Sequence, residues 1–171
     1  MSDFAGKVVL VTGSSLGIGA STAVAFAKQG AKVVIHGRNA EALNKVAEQI
    51  KAVSKYEALQ IVGDLTDHSL PEKLIDETVA KFGGLDVLVN NAAAGVANDS
   101  LSNPDLMEIF DRAYNLNVRS VLRLTQLAVE HLEKTKGNIV NISSVASLSP
   151  VSSRFFKFRS KTQTNFYLIF R

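Results

Sequence analysis

The stretch VTGSSLGIGAS, residues 11–21, decides the fold. It ends the continuous apolar run KVVLVTG (7–13) and leads into a segment of helical character. Gly13, Gly17 and Gly19 stand in the spacing G-x-x-x-G-x-G, not the G-x-G-x-x-G of the usual dinucleotide turn. The physics is shared. A tight turn needs glycine at positive φ, a missing Cβ lets backbone approach a phosphate, and a helix N-terminus draws negative charge. Ser14 and Ser15 can add hydroxyl donors. A glycine-rich turn without a ligand is the competing reading, and three glycines directly after a buried strand weigh against it.

Outward from this turn, apolar runs of strand length alternate with helical periods. AKVVIHG (31–37), ALQIVGD (58–64), LDVLVNN (85–91) and GNIVNIS (137–143) complete five candidate strands. Their apolar residues are continuous rather than alternating, which predicts burial on both faces of a parallel sheet. In 39–53, Leu43, Val46, Ala47 and Ile50 follow helical spacing. A second helix is expected over 68–82, with Leu74, Thr78, Val79 and Phe82 inward. A long one is expected over 104–134, with Asn103 as N-cap and Pro104 at the first helical position. This alternation predicts an α/β fold, a Rossmann-like doubly wound parallel sheet of about five strands.

Composition sets the outer bounds. The chain has 171 residues, 46% hydrophobic and 20% charged, enough apolar content for one domain with a core. The net charge of +3 is scattered, with no basic run that would point to nucleic acid. There is no cysteine, so disulfides, thiolate zinc sites and a cysteine nucleophile are excluded. No metal site is expected. The start, MSDFAGK, lacks the apolar stretch of a signal peptide, and no run approaches the ~20 apolar residues that span a bilayer. A soluble cytoplasmic protein without a membrane partner is the expectation. One composition break follows Pro150. Residues 151–171 contain no Gly, Asp or Glu, crowd the aromatics and show neither helical nor strand period. The expected division is a dinucleotide-binding domain over 1–150 and an irregular tail over 151–171.

TGSSLGIG (12–19) resembles the cofactor motif of the short-chain dehydrogenase/reductase family. The resemblance continues through GDLTD (63–67), NNAAAG (90–95), NLNV (115–118) and IVNISS (139–144), in order and at familiar spacing, and is to members of the 3-oxoacyl-carrier-protein-reductase type. Ala93 stands where the family usually has Gly. The resemblance implies hydride transfer between a nicotinamide cofactor and a small carbonyl or alcohol substrate. After the second strand, His36-Gly37-Arg38 offers a cation and no acid, which favours a 2′-phosphate over a free 2′-hydroxyl and hence NADP over NAD. The cofactor-binding set expected from motif and resemblance is Gly13, Ser14, Ser15, Gly17, Ile18, Gly19, Arg38, Asp64, Leu65, Asn90 and Ala92. In it Asp64 meets the adenine amino group, the backbone around Asn90 and Ala92 lines the cofactor, and Asn91 is chiefly structural.

By the same resemblance, Asn117 orders a proton-relay water and Ser144 polarises the substrate oxygen, with Ser143 the competing choice. An asparagine in mid-helix is a poor helix former and asks for a reason. The family's tyrosine is expected at 157 and its lysine at 161, yet the chain reads KFRSK over 157–161. Lys161 matches; Lys157 stands in place of the phenol. The pattern fails at Val151-Ser152, a dipeptide that GTAAGT, a splice-donor-like sequence, would encode. The tail is therefore read as translated intron or a frameshift, and the fold as cut short of its last strands and lid. A catalytically inactive dinucleotide-binding or interaction protein is the alternative function. In the long helix, Val121, Leu124, Ala128 and Leu132 make one apolar face and Val118, Leu122 and Val129 a second. The second face needs a neighbour, either an adjacent helix of the same layer or, as the family resemblance implies, a second copy in a homo-oligomer paired through 104–134.

Overall fold

The computed structural model describes residues 3–94 and 102–144. Its strands are β1 (Val8–Val11), β2 (Lys32–Gly37), β3 (Leu59–Val62), β4 (Val87–Asn90) and β5 (Asn138–Asn141). Its helices are α1 (Gly17–Lys28), α2 (Ala40–Lys51), α3 (Leu70–Phe82), α4 (Leu106–Tyr114) and α5 (Ser120–Thr135). All strand pairs are parallel, in the order β3-β2-β1-β4-β5. The chain runs outward from β1 to β3, then returns to lay β4 against the other side of β1. That reversal opens a crevice at the carboxyl ends of β1 and β4, where ligands bind in such sheets.

The core explains why β1 is so uniformly apolar. Val8 and Leu10 face a layer with Leu74, Leu88, Leu124 and Leu132. Val9 and Val11 face the opposite layer, with Ala23, Val33, Ile35 and Leu43. Burial on both faces holds for β1 and β4 throughout and for nearly all of β2. It does not hold for β3 and β5, which lie at the edges of the described sheet. Each buries a central isoleucine, Ile61 or Ile139, and leaves Val62 or Val140 exposed. A run of apolar residues does not tell a central strand from an edge strand that is covered on one face.

The helices follow their apolar stripes. Asn39 caps α2, its side chain accepting from the Ala42 amide at 2.9 Å. Leu43, Val46 and Ile50 are buried. In α3, Leu74 and Thr78 are buried as expected, together with Leu70, Pro71 and Ile75. The long helix starts later than the sequence suggested. Asn103 does not cap it: its side chain accepts from the Asp105 amide at 3.0 Å in a turn, and the first helical residue is Leu106. The short polar side chain serves a local turn as readily as a cap.

The long helix is also interrupted. Asn115–Arg119 form a π-helical turn between α4 and α5, and the flanking backbone remains right-handed α throughout. Asn117 sits in this turn and is buried, which is the reason for an asparagine in mid-helix. Of the two apolar faces, Leu124, Ala128 and Leu132 are buried and Val121 half-buried, whereas Leu122 is exposed. No described helix is long and apolar enough to cross a membrane. The tail at 151–171, with Lys157 and Lys161, and the domain boundary at 150 lie outside the described residues.

Candidate functional site

The turn after β1 is built by its glycines. Gly13 has φ 63° and Gly17 has φ 58°, both in the left-handed region that costs an L-residue about 1–2 kcal/mol. Gly13 is also tight: a Cβ there would stand 2.7 Å from the Ala92 Cα. A Cβ on Gly19 would collide with the Asn91 side-chain amide and the Gly13 carbonyl. Gly17 has open space around it, so only its backbone angle demands glycine. The turn therefore packs directly onto the segment after β4.

Thr12 and Asn91 hold that junction. Thr12 Oγ1 accepts from the amides of Asn91 at 3.0 Å and Ala92 at 3.1 Å, and donates to the Val89 carbonyl at 3.3 Å. The Asn91 side chain donates to the carbonyls of Thr12 and Gly13 at 3.0 and 2.9 Å. Asn91 is thus structural, as expected. The sequence reading missed Thr12, although its place directly before Gly13 at the end of the buried run was a signal.

Around this junction lies a cleft of about 360 Å³, within the range of small-molecule sites. It is lined by Gly13, Ser15, Ile18, Gly19, Arg38, Asp64, Leu65 and Ala92 from the expected set. Leu16, His36, Gly37, Gly63, Asn91, Ala93 and Leu116 complete it. Gly17 does not line it. Ser14 does not either: its hydroxyl donates to the Val11 carbonyl at 2.8 Å and accepts from the His36 amide at 2.9 Å. It joins β1 to β2 from a fully buried position, so it is not a free donor. Asn90 does not line it either: it is buried, its side-chain amide donating to Asn141 Oδ1 at 2.9 Å.

In the cleft Arg38 stands 3.6 Å from Asp64. Burial pushes the Asp64 carboxyl up. The Thr66 amide and hydroxyl, Arg38 and Arg112 outweigh it and hold the group below the usual carboxylate range. The N-terminus of α1, whose Ile18 and Gly19 line the cleft, has no side-chain cap and no acidic residue in its first turn. Its orphan amides are donors for an anion. Leu16 and Ile18, 74% and 66% exposed, add large apolar surface at the mouth. A cation, the amides of a helix N-terminus without a side-chain cap and exposed apolar side chains fit a dinucleotide.

Beyond Leu116 the π-helical turn brings Asn117 to the segment after β4. Its Oδ1 accepts from the Ala94 amide at 3.2 Å and its Nδ2 donates to the Ala94 carbonyl at 3.3 Å. Ser143 and Ser144 follow β5, the neighbour of β4. Ser143 Oγ is buried without a hydrogen-bond partner among the described residues, as is Asn90 Oδ1. Lys161 lies outside those residues. No group of three or more His, Asp or Glu able to hold a metal ion occurs among them.

The family model for short chain dehydrogenase matches residues 7–156. A 3-oxoacyl-[acyl-carrier-protein] reductase of Thermotoga maritima is 37% identical over 148 residues, 84% of this chain and 57% of that protein. Glucose dehydrogenase of Caenorhabditis elegans, solved in the apo-form, aligns with TM-score 0.83 and 44% identity over 94% of this chain and 65% of that one. L-sorbose reductase of Gluconobacter frateurii, solved with NADPH and L-sorbose, aligns with TM-score 0.88 and 28% identity over 95% of this chain and 61% of that one. The chain spans about half to three fifths of the length of such curated relatives.

Proposed function

The chain belongs to the short-chain dehydrogenase/reductase family of oxidoreductases, and from that premise we propose that it binds NADP(H) in the cleft after β1. The observation that carries the proposal is Arg38, which lines the cleft at the end of β2 with no acidic side chain at that strand end. A carboxylate there would accept from a 2′-hydroxyl. A guanidinium instead donates paired bonds to a 2′-phosphate. Asp64, held ionised, accepts from the adenine amino group. The free amides of α1 take the pyrophosphate, and Leu16 and Ile18 cover apolar ring surface. The L-sorbose reductase solved with NADPH supports this reading.

The reaction proposed is hydride transfer between the nicotinamide and a small carbonyl or alcohol carbon. The bound cofactor supplies the hydride; the chain supplies polarity and a proton. Ser144 polarises the substrate oxygen, with Ser143 next to it. Asn117 presents an amide whose geometry is fixed by Ala94, positioned to order a water for proton relay. Lys161 holds the nicotinamide ribose and lowers the pKa of the proton donor. A phenol is the donor that such a set requires, and the sequence has Lys157 there. An ammonium starts charged, repels Lys161 and lies on a flexible stem. That residue favours a second reading, a dinucleotide-binding protein with little turnover.

Self-association through the long helix is also proposed. Met107, Tyr114 and Leu122 expose apolar surface along it, and a second copy would cover that row. The experiment that separates the two readings is NADPH-dependent carbonyl reduction by the chain and by Lys157→Tyr. Reduction by either supports the enzyme. Tight NADPH binding with no reduction by either supports the second reading.

A further inference from the structure

His36 is buried, 3% exposed, yet its ring lines the cleft. Both ring nitrogens are used by backbone. Nδ1 accepts from the Gly13 amide at 3.3 Å, and Nε2 lies 3.1 Å from the Gly63 carbonyl. A carbonyl can only accept, so Nε2 carries the proton and Nδ1 is the bare acceptor. One neutral ring therefore joins the glycine turn after β1 to the end of β3, across β2. Its own backbone is fixed by Ser14: the His36 amide donates to Ser14 Oγ at 2.9 Å and the Ser14 amide donates to the His36 carbonyl at 2.8 Å.

We propose that His36 is a positioning residue for the dinucleotide: its neutral, Nε2-protonated ring sets the spacing between the Gly13 turn and the Gly63–Asp64 segment, and protonation at Nδ1 releases the turn and weakens binding. The inference rests on the dinucleotide reading of the cleft. The two backbones that the ring spans, at Gly13 and Gly63, both line that cleft, so the ring fixes one against the other. A proton on Nδ1 converts the acceptor into a donor that faces the Gly13 N–H, and that contact cannot survive. The charged groups around the ring are few. Asp64 follows Gly63 and favours the imidazolium. Arg38, on the strand of His36, pairs with Asp64, and Arg112 of α4 also acts on that carboxylate. The turn after β1 contributes only Gly13, Ser14 and Ser15, which carry no charge. Burial lowers the His36 pKa and outweighs the opposing pull of the Gly63 carbonyl and Asp64.

The test uses the full chain and four forms: wild type, His36→Phe, His36→Asn and His36→Gln. Asparagine places an acceptor near the Nδ1 position and glutamine a donor near the Nε2 position, so each restores one of the two contacts. NADP⁺ affinity is titrated between pH 8 and pH 5. The 2′-phosphate itself titrates near pH 6, so the reading is the difference between the profiles of wild type and His36→Phe. At pH 8, His36→Phe loses both ring contacts and is expected to bind about fivefold to a hundredfold more weakly, the worth of two hydrogen bonds. His36→Asn should recover most of that loss and His36→Gln less. Wild type should lose a further several-fold on acidification that His36→Phe does not. Nitrogen NMR of wild type should show Nδ1 unprotonated at pH 8. Equal affinity of wild type and His36→Phe at pH 8, superimposable pH profiles, or a proton on Nδ1 would each overturn the role of His36 and leave the dinucleotide reading standing. Absence of NADP⁺ binding in all four forms would overturn both.

Discussion

Arg38 Nη1 lies 3.6 Å from Asp64 Oδ2, a pair that links the end of β2 to the segment after β3 in the lining of the cleft. Both side chains are part-exposed, so the pair adds little to stability. Its interest is in recognition, because a phosphate would draw Arg38 away and leave the carboxylate for an amino group. Arg38→Ala is expected to weaken NADPH binding about tenfold to a hundredfold, the loss of charge-assisted hydrogen bonds, and to leave NADH nearly unchanged. Parallel fluorescence titrations read both. Equal losses for the two cofactors would remove the 2′-phosphate role.

The glycines divide by cause. Gly13→Ala forces both a left-handed residue and a contact with Ala92, so it should destabilise the fold as well as abolish cofactor binding. Gly17→Val meets only the backbone angle, so it should cost about 1–2 kcal/mol of stability and, by disturbing the α1 N-terminus, weaken affinity as well. Gly30 has φ 82°, so Gly30→Ala should also cost about 1–2 kcal/mol of stability while sparing affinity. Thermal melts with and without NADPH separate these outcomes.

Stability should depend on pH through His36. Its folded pKa lies below the ordinary 6.5, so the unfolded chain takes up a proton first. The His36 contribution is complete above pH 6.5 and is lost as pH falls below it toward the lower folded value. Urea midpoints measured from pH 8 to pH 5 should fall over this window in wild type and fall less in His36→Phe. Identical slopes would show that the ring does not carry the dependence.

Lys136 ends α5 with φ 53°, a left-handed position that glycine fills without a Cβ penalty. Lys136→Gly is expected to stabilise the chain by about 0.5–1 kcal/mol. The neighbouring Gly137 tolerates no such freedom, because a Cβ there would strike the Asp86 carbonyl. An unchanged or lowered melting temperature in Lys136→Gly would mean that the lysine side chain offsets its backbone strain.

Legibility followed the range of the interactions. The apolar runs and the glycine turn are local, and they gave the strands, their parallel pairing and most of the cleft. What was hidden depends on contacts across the chain. The π-helical turn at Asn117 is held by Ala94, far away in sequence. Ser14 looked like a ligand donor because nothing local shows its hydroxyl turned toward Val11 and His36. His36 gives no local signal, since a histidine in a buried strand carries no pattern of its own. Val62 and Val140 read as core because strand order, not composition, decides which strands are edges.

The central claim is that the cleft after β1 takes a dinucleotide and prefers the 2′-phosphorylated form. Isothermal titration of the purified full chain with NADPH and with NADH, in one buffer at pH 7.5, tests it most directly. The account predicts one NADPH per chain, with affinity at least about tenfold above that for NADH. Binding of neither cofactor, or NADH bound as tightly as NADPH, would contradict it.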